Sequence, residues 1–348
     1  MTTSLLLIAA VGVPFALLLA CIVPAIRERM PPLLALVPIP ALAAALFADD
    51  TPLVLGNARF ALSFALDEPG RMLLLVAAVQ WIAAGGNAAM GLRGAAHARG
   101  QVVCWQMALT GCVGVFLAAD LVGFYFLLAV LSVGASGLVL QGGTAEAPRA
   151  SAVYLGLALI AEAFLLAGLV MLAMVTPDGS LLIRDAAAAI PASPWRDLTL
   201  VLLIVGLGMK AGLVPLHIWM PLAYGAAPIP AAAVMSGAVV KASALALIRF
   251  LPLDVALPDF GLPLAAIGLF GAFYGVVIGI TQSRPKIVLA YSSVSQMGFL
   301  VAVIGMGLAA GDAGAARVAS FYAAHHLLVK GALFLVAGVI ATTGRRRL

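Results

Sequence analysis

Between residues 3 and 342 the chain is one apolar run after another, each long enough to cross a bilayer and nearly free of charge. A helix of about 20 apolar residues spans a hydrocarbon core about 30 Å thick. Eleven such runs are present, roughly 3–26, 31–48, 70–90, 101–118, 120–140, 151–176, 198–221, 229–251, 262–282, 286–308 and 316–342. Backbone in lipid must satisfy its own N–H and C=O groups, so it forms helices or closed barrels. Barrel strands alternate apolar and polar residues, and these runs do not. The expectation is an all-α polytopic membrane protein with about 11 transmembrane helices. Only 9% of the 348 residues are charged, against about 25% in a soluble domain. That excludes a soluble enzyme, a nucleic-acid binder and a disordered chain. The first run lacks a basic leader and is followed by many others, so it is taken as a span and not as a signal peptide. Cys21, Cys104 and Cys112 all lie in apolar runs with no CxxC spacing, so no disulfide or metal framework is expected.

The connections are short, and the longest, 49–69 and 177–197, carry Pro, Asp and Arg and are expected at one surface. Lys and Arg favour the cytoplasmic side. With the N-terminus outside, ten bases fall inside: Arg27, Arg29, Arg93, Arg99, Arg149, Arg284, Lys286, Arg345, Arg346 and Arg347. Six fall outside: Arg59, Arg71, Arg184, Arg196, Arg249 and Arg317. Eleven of the thirteen acids in this tally are outside, with only Glu28 and Glu146 inside. An odd span number then places the C-terminus in the cytoplasm.

Four charges are left in mid-span: Glu162, Lys210, Lys241 and Lys330. Each costs about 2.5–3.5 kcal/mol at a helix centre on insertion scales, and such residues face a protein interior or a wet cavity. The competing explanation for a lysine is snorkelling, which is awkward from so central a position. For Glu162 it is a structural partnership with a nearby lysine. Of the four histidines, His217, His325 and His326 lie in spans, whereas His97 lies in a loop. Helical spacing puts His217 on the face of Lys210 and His326 on that of Lys330. Imidazole beside ammonium suits a proton relay; plain packing is the alternative. No carboxylate or cysteine cluster accompanies His325 and His326, so no metal site is expected. Pro215 should break its helix, and a break at membrane depth is tolerated where it is buried or lines a cavity. Ser292, Ser293 and Gln296 either bind water along a path or hold helices together, and Tyr291 is similar. Trp219 beside Pro221 is a candidate interfacial anchor.

The run KAGLVPLHIWMPLAYGAAPIPAAAVMSGAVVKASALALIRF (210–250) resembles the signature of antiporter-like proton-translocating subunits. That family occurs in respiratory complex I, membrane-bound hydrogenases and Mrp-type cation/proton antiporters. The resemblance rests on Lys210, Pro215, His217, Trp219, Pro221, Ala227-Pro228, Ser236-Gly237, Lys241 and Arg249. It continues in SRPKIVLAYSSVSQMGFL (283–300) and HHLLVKGALFLVAG (325–338), and more weakly at Asp67 and Asp120. It implies fourteen helices with two inverted five-helix repeats. Here 1–100 would be three N-terminal helices, 101–251 the complete first repeat with its broken helix at Pro215, and 262–342 part of the second. Taken with the mid-span charges and histidines, it points to a proton pathway through Glu162, Lys210, His217, Lys241, His326 and Lys330, with Pro215, Ser236, Arg249, Ser292, Ser293 and His325 expected to support it.

The chain departs from the family pattern twice. The glutamate usual on the fifth helix is replaced by Ala129, while helix six carries Glu162. We expect Glu162 to substitute as the partner of Lys210. The three family helices beyond the eleventh are absent, so the second repeat is incomplete: the chain is either a short subunit completed by another chain, or a fragment or split gene product. The resemblance implies a proton-translocating membrane subunit of a redox-driven complex, in a bacterial inner membrane, with other membrane subunits as partners. No cofactor is expected within it, since it has no cysteine cluster and no dinucleotide motif. The alternatives are a sodium/proton antiporter subunit of Mrp type and a non-pumping structural subunit. A quinone site has no specific support.

Overall fold

Proline and glycine decide where the apolar runs stay helical. The computed structural model describes residues 3–57, 60–92 and 98–345; Arg59, Arg93, His97, Arg346 and Arg347 lie outside the described residues. The chain begins with α1 (Thr3–Ala20), α2 (Pro24–Arg29) and α3 (Ile39–Phe47). A hairpin follows, β1 (Leu53–Asn57) and β2 (Phe60–Phe64). Then come α4 (Glu68–Gly91), α5 (Ala98–Leu117), α6 (Leu121–Leu140), α7 (Ala147–Val175) and the short α8 (Ile183–Ala189). Next are α9 (Arg196–Ala211), α10 (Trp219–Ala226), α11 (Ile229–Val234) and α12 (Val240–Phe250), with a π-turn at Met235–Val239 joining the last two. The chain closes with α13 (Pro258–Gly279), α14 (Pro285–Ala310) and α15 (Gly314–Arg345).

Among the described residues nine helices are long and apolar enough to cross a membrane, with α11, the π-turn and α12 counting as one. The chain is a multi-pass membrane protein. The two remaining runs of the expected eleven are not single helices. Run 31–48 holds Pro31, Pro32, Pro38 and Pro40, and only nine residues of it form α3. Proline lacks the N–H that the helix ladder needs. Run 198–221 stops at Ala211 and resumes at Trp219.

The 49–69 connection, outside the apolar runs, carries a short hairpin. Its partners run from Leu53 opposite Phe64 to Gly56 opposite Ala61. The hairpin and the 177–192 segment meet around Asp120, as expected of two loops at one surface. Asp120 caps α6 by accepting from Gly123 N at 2.7 Å, and its other oxygen accepts from Ser63 N at 2.7 Å. Ala119 N donates to Ser63 O at 2.8 Å, and Leu121 N to Leu181 O at 2.9 Å. The long-range ion pairs at the helix ends respect the alternation of charges between the two sides. Arg71–Asp50, Arg249–Asp67 and Arg317–Glu68 join charges assigned to one side, and Arg99–Glu28 and Arg284–Glu146 charges assigned to the other.

Helices α13 and α14 approach backbone to backbone. Gly261, Gly268 and Gly275 on α13, seven residues apart, face α14 around Gly298 and Gly305. Small residues let transmembrane backbones approach closely where no hydrophobic drive brings helices together. A Cβ on Gly298 would lie 2.5 Å from Ala272 N and from Gly268 O. Gly298→Val is therefore expected to lower stability by about 3 kcal/mol, at the upper end for overpacking. Gly86→Ala, where a Cβ meets nothing within 4 Å, should leave the thermal midpoint in detergent unchanged. Equal midpoints for both variants would contradict the close-packed seam.

Candidate functional site

The site grows out of the end of α9. Gly212 takes a left-handed conformation, φ 74°, and Leu213 N reaches back to Gly208 O at 2.9 Å. This glycine stop is a common helix ending, and Pro215 three residues on cannot restart the ladder. Residues 212–218 are non-helical. Trp219 Nε1 donates to Met209 O at 2.9 Å, which occupies a carbonyl near the helix end. Trp219 is buried and packs edge-on to Tyr154 and Tyr224 at 5.1 and 5.8 Å, so it closes the break and is not an interfacial anchor.

Lys210, in the last turn of α9, donates to Glu162 Oε1 of α7 at 2.8 Å and to Ser132 Oγ of α6 at 2.7 Å. The Lys210 and Glu162 side chains are only 9% and 7% exposed. The α6 position that lacks a carboxylate, Ala129, lies one turn before Ser132. Glu162 thus supplies the negative charge from the next helix, and Ser132 supplies the polar contact from α6. Ser132 was not singled out from the sequence; its only signal there is its place one turn beyond Ala129. The Ser132 hydroxyl donates onward to Leu128 O at 3.0 Å, leaving its lone pair for the ammonium. Beside the pair lies a cavity of about 30 Å³ bounded by Ser132, Tyr154, Lys210, Trp219, Val240 and Ser243. A water needs about 10–15 Å³ on this measure, so the space fits about two waters between Lys210 and α12.

Lys241, on α12, is fully buried, and its Nζ touches Met297 Sδ at 3.6 Å. Lys330 of α15 is 2% exposed and donates to Leu289 O at 3.0 Å. His326, one turn before Lys330, is equally buried, and neither ring nitrogen has a hydrogen-bond partner among the described residues. The helices that carry these groups, α12 and α15, pack against each other and both pack against α14. No ion pair joins a carboxylate to any of these three bases among the described residues. One pathway candidate is misplaced by periodicity. The break removes the regular spacing that would stack His217 on Lys210; His217 instead packs against Tyr274 at 5.0 Å and lies 6.2 Å from Tyr291, on α13 and α14.

The supporting residues divide. Ser236 lies in the π-turn, and its hydroxyl donates to Ala233 O at 3.2 Å. Ser293 donates to Leu289 O at 3.1 Å, the carbonyl that also receives Lys330. Ser292 is half-buried, and Gln296 links α14 to α15 by accepting from Tyr322 OH. His325 faces outward from α15. Among the described residues no three His, Cys, Asp or Glu side chains gather into a metal-binding group.

Arg249, counted above as a loop charge, is a buried clamp. Its Nε and Nη2 bind both oxygens of Asp67 at 2.8 and 2.7 Å. Its remaining donors reach Val115 O, Phe116 O and Ala118 O at the end of α5, at 2.8–3.1 Å. Such forked pairing is the strong form of the interaction. Asp67 also caps α4 through Gly70 N at 2.8 Å.

With this geometry in place, comparison with known proteins identifies the lineage. The sequence pattern described as "NADH:quinone oxidoreductase/Mrp antiporter, TM" matches residues 118–347. The chain belongs to that family. NADH-quinone oxidoreductase subunit N of Desulforudis audaxviator is 36% identical over 253 residues, 69% of this chain and 48% of that protein. A Na(+)/H(+) antiporter subunit of Alkalihalophilus pseudofirmus is 30% identical over 236 residues, 66% of this chain and 46% of that protein. A chain in the structure of respiratory complex I from Thermus thermophilus with bound aureothin superposes with a TM-score of 0.74 at 26% identity, covering 95% of this chain and 70% of that one. The chain spans about half the length of these curated relatives.

In this family member, burial pushes the Asp67 carboxyl up, but the Arg249 charge and hydrogen bonds, with Gly70 N–H, outweigh it and hold the group below its usual range. A depressed carboxyl contributes stability above its unfolded value, about 3.9, and loses it as pH falls through the folded value. Asp67→Asn removes one partner of a pair whose carboxylate is 44% exposed and so screened by solvent, and should cost about 1 kcal/mol at pH 7. The gap to wild type should close below about pH 4, read from thermal midpoints across pH. A gap independent of pH would show that the Asp67 charge contributes nothing.

Proposed function

We propose that the chain carries protons across a bacterial inner membrane as one subunit of a larger, redox-driven membrane complex. The observation that carries this reading is the buried Lys210–Glu162 pair at a helix break, with a water-sized cavity leading toward the helix that bears Lys241. A buried ammonium is tolerated while its counter-ion stays in place, and separating the two leaves an uncompensated charge that is strongly unfavourable. A motion that draws Glu162 from Lys210 therefore favours release of the lysine's proton. Water in the cavity is the carrier toward α12. Beyond it, Lys241, His326 and Lys330 form a row of bases without a carboxylate, so a proton on one repels a proton arriving at the next. Serial occupancy of such a row moves charge along the plane of the membrane. His217, beside Tyr274 and Tyr291, is a side branch of this path. The excess of Lys and Arg on one side puts the C-terminus in the cytoplasm and the N-terminus outside.

A second reading, sodium/proton exchange, is favoured by the likeness to the Na(+)/H(+) antiporter relative. The protein should be purified with its co-purifying chains, which identify the energy source, and reconstituted into vesicles loaded with a pH dye. Lys210→Ala, Lys241→Ala and Glu162→Gln are each expected to slow proton flux by about a hundredfold, the scale of a lost proton-transfer group. Flux unaffected by both lysine changes would defeat the reading in favour of a structural subunit. Flux that requires sodium on the opposite side would select the exchanger.

A further inference from the structure

Gln80 lies in α4, outside every residue of the proposed path, and is only 4% exposed. Its Nε2 donates to Ala233 O at 2.7 Å, and its Oε1 is buried without a hydrogen-bond partner among the described residues. Two glycines make room for the amide. A Cβ on Gly237 would fall 2.0 Å from Nε2, and one on Gly331 would fall 2.3 Å from it. Gly237 belongs to the π-turn that leads into Lys241, and Gly331 follows Lys330 in α15. The Gln80 amide is thus wedged between the two backbones that bear the buried lysines.

The π-turn gives this wedge its consequence. A π-turn adds a residue to a helical turn, and such turns concentrate at functional sites. Reverting to regular α-helix would rotate everything beyond it by about 100°, one residue's share of a 3.6-residue turn. Lys241 lies two residues beyond the turn, and its Nζ at Met297 would point elsewhere. Three side chains hold the turn. Gln80 Nε2 and Ser236 Oγ share Ala233 O, and Tyr224 OH donates to Met235 O at 3.3 Å. Of the three, only Gln80 comes from outside the 210–250 stretch.

We propose that Gln80 is a positioning residue that keeps the Met235–Val239 π-turn formed and so aims Lys241 at α14 and α15. This makes α4 part of the conduction device, and it rests on the proton-translocation reading above. The test uses Gln80→Met, which keeps the volume and removes the donor, in the reconstituted complex. Two measurements are made, proton flux and backbone hydrogen exchange at residues 235–241 by mass spectrometry. Flux is expected to fall about tenfold, the scale of one lost buried hydrogen bond, with exchange at 235–241 clearly faster. Gly237→Ala, which pushes the amide out without touching any charge, should do the same. If Gln80→Met fails to accumulate, Gln80→Asn, one methylene short, is measured in its place. Wild-type flux, or lost flux with unchanged exchange, overturns the positioning role. The lysine variants separate the two levels: if Lys210→Ala and Lys241→Ala both leave flux intact, the proton reading fails; if Lys241→Ala abolishes flux while Gln80→Met does not, only the inference about Gln80 fails.

Discussion

A helix that stops inside an apolar slab leaves carbonyls and N–H groups that lipid cannot satisfy, and much of this structure is arranged around one such stop. The chain ends α9 at a glycine, covers Met209 O with the Trp219 indole, and packs His217 against Tyr274 of α13. Beside the stop, the Lys210 and Glu162 side chains are only 9% and 7% exposed. An ammonium and a carboxylate can then be kept where neither would survive alone. The order of cause runs from backbone satisfaction to cavity, and from cavity to charge.

Two electrostatic regimes then sit side by side. Lys210 has a carboxylate and a hydroxyl within hydrogen-bond distance. Among the described residues Lys241 has a thioether within reach, Lys330 a carbonyl, and His326 no hydrogen-bond partner. A paired charge is stable and needs motion to release it; clustered bases without an acid compete for the same proton. Placed in series across a small cavity, the first regime can gate and the second can pass on. The Arg249–Asp67 clamp lies at the far end of α12, away from this chemistry. It ties that helix to the cap of α4 and the end of α5.

Much of the architecture was legible in the order of residues. Run length marked eleven spans, of which nine are single helices among the described residues, and the two that are not hold Pro38 and Pro40 or Gly212 and Pro215. The alternation of charges between loops agrees with the long-range ion pairs at the helix ends. The hairpin was not legible, because LVLGN and FALSF are short and their pairing partners include the backbone of Ala118. Helical spacing misassigned His217, because it assumes a continuous helix where the chain has none. Trp219 and Arg249 looked like residues at a boundary, and each is instead held by several distant groups.

The sequence by itself determined that the chain lives in a membrane, that its few mid-span charges are the costly ones, and where the central helix must break. Those conclusions follow from local properties: hydropathy over about 20 residues, the missing proline donor and the cost of charge in hydrocarbon. Only the tertiary structure decided which charges are partnered. It brought Glu162 across from α7 to Lys210, put Ser132 and not its neighbours on the same lysine, and set Gln80 between Gly237 and Gly331. Those choices depend on distances between helices far apart in the chain, set by how closely glycine and alanine let their backbones approach.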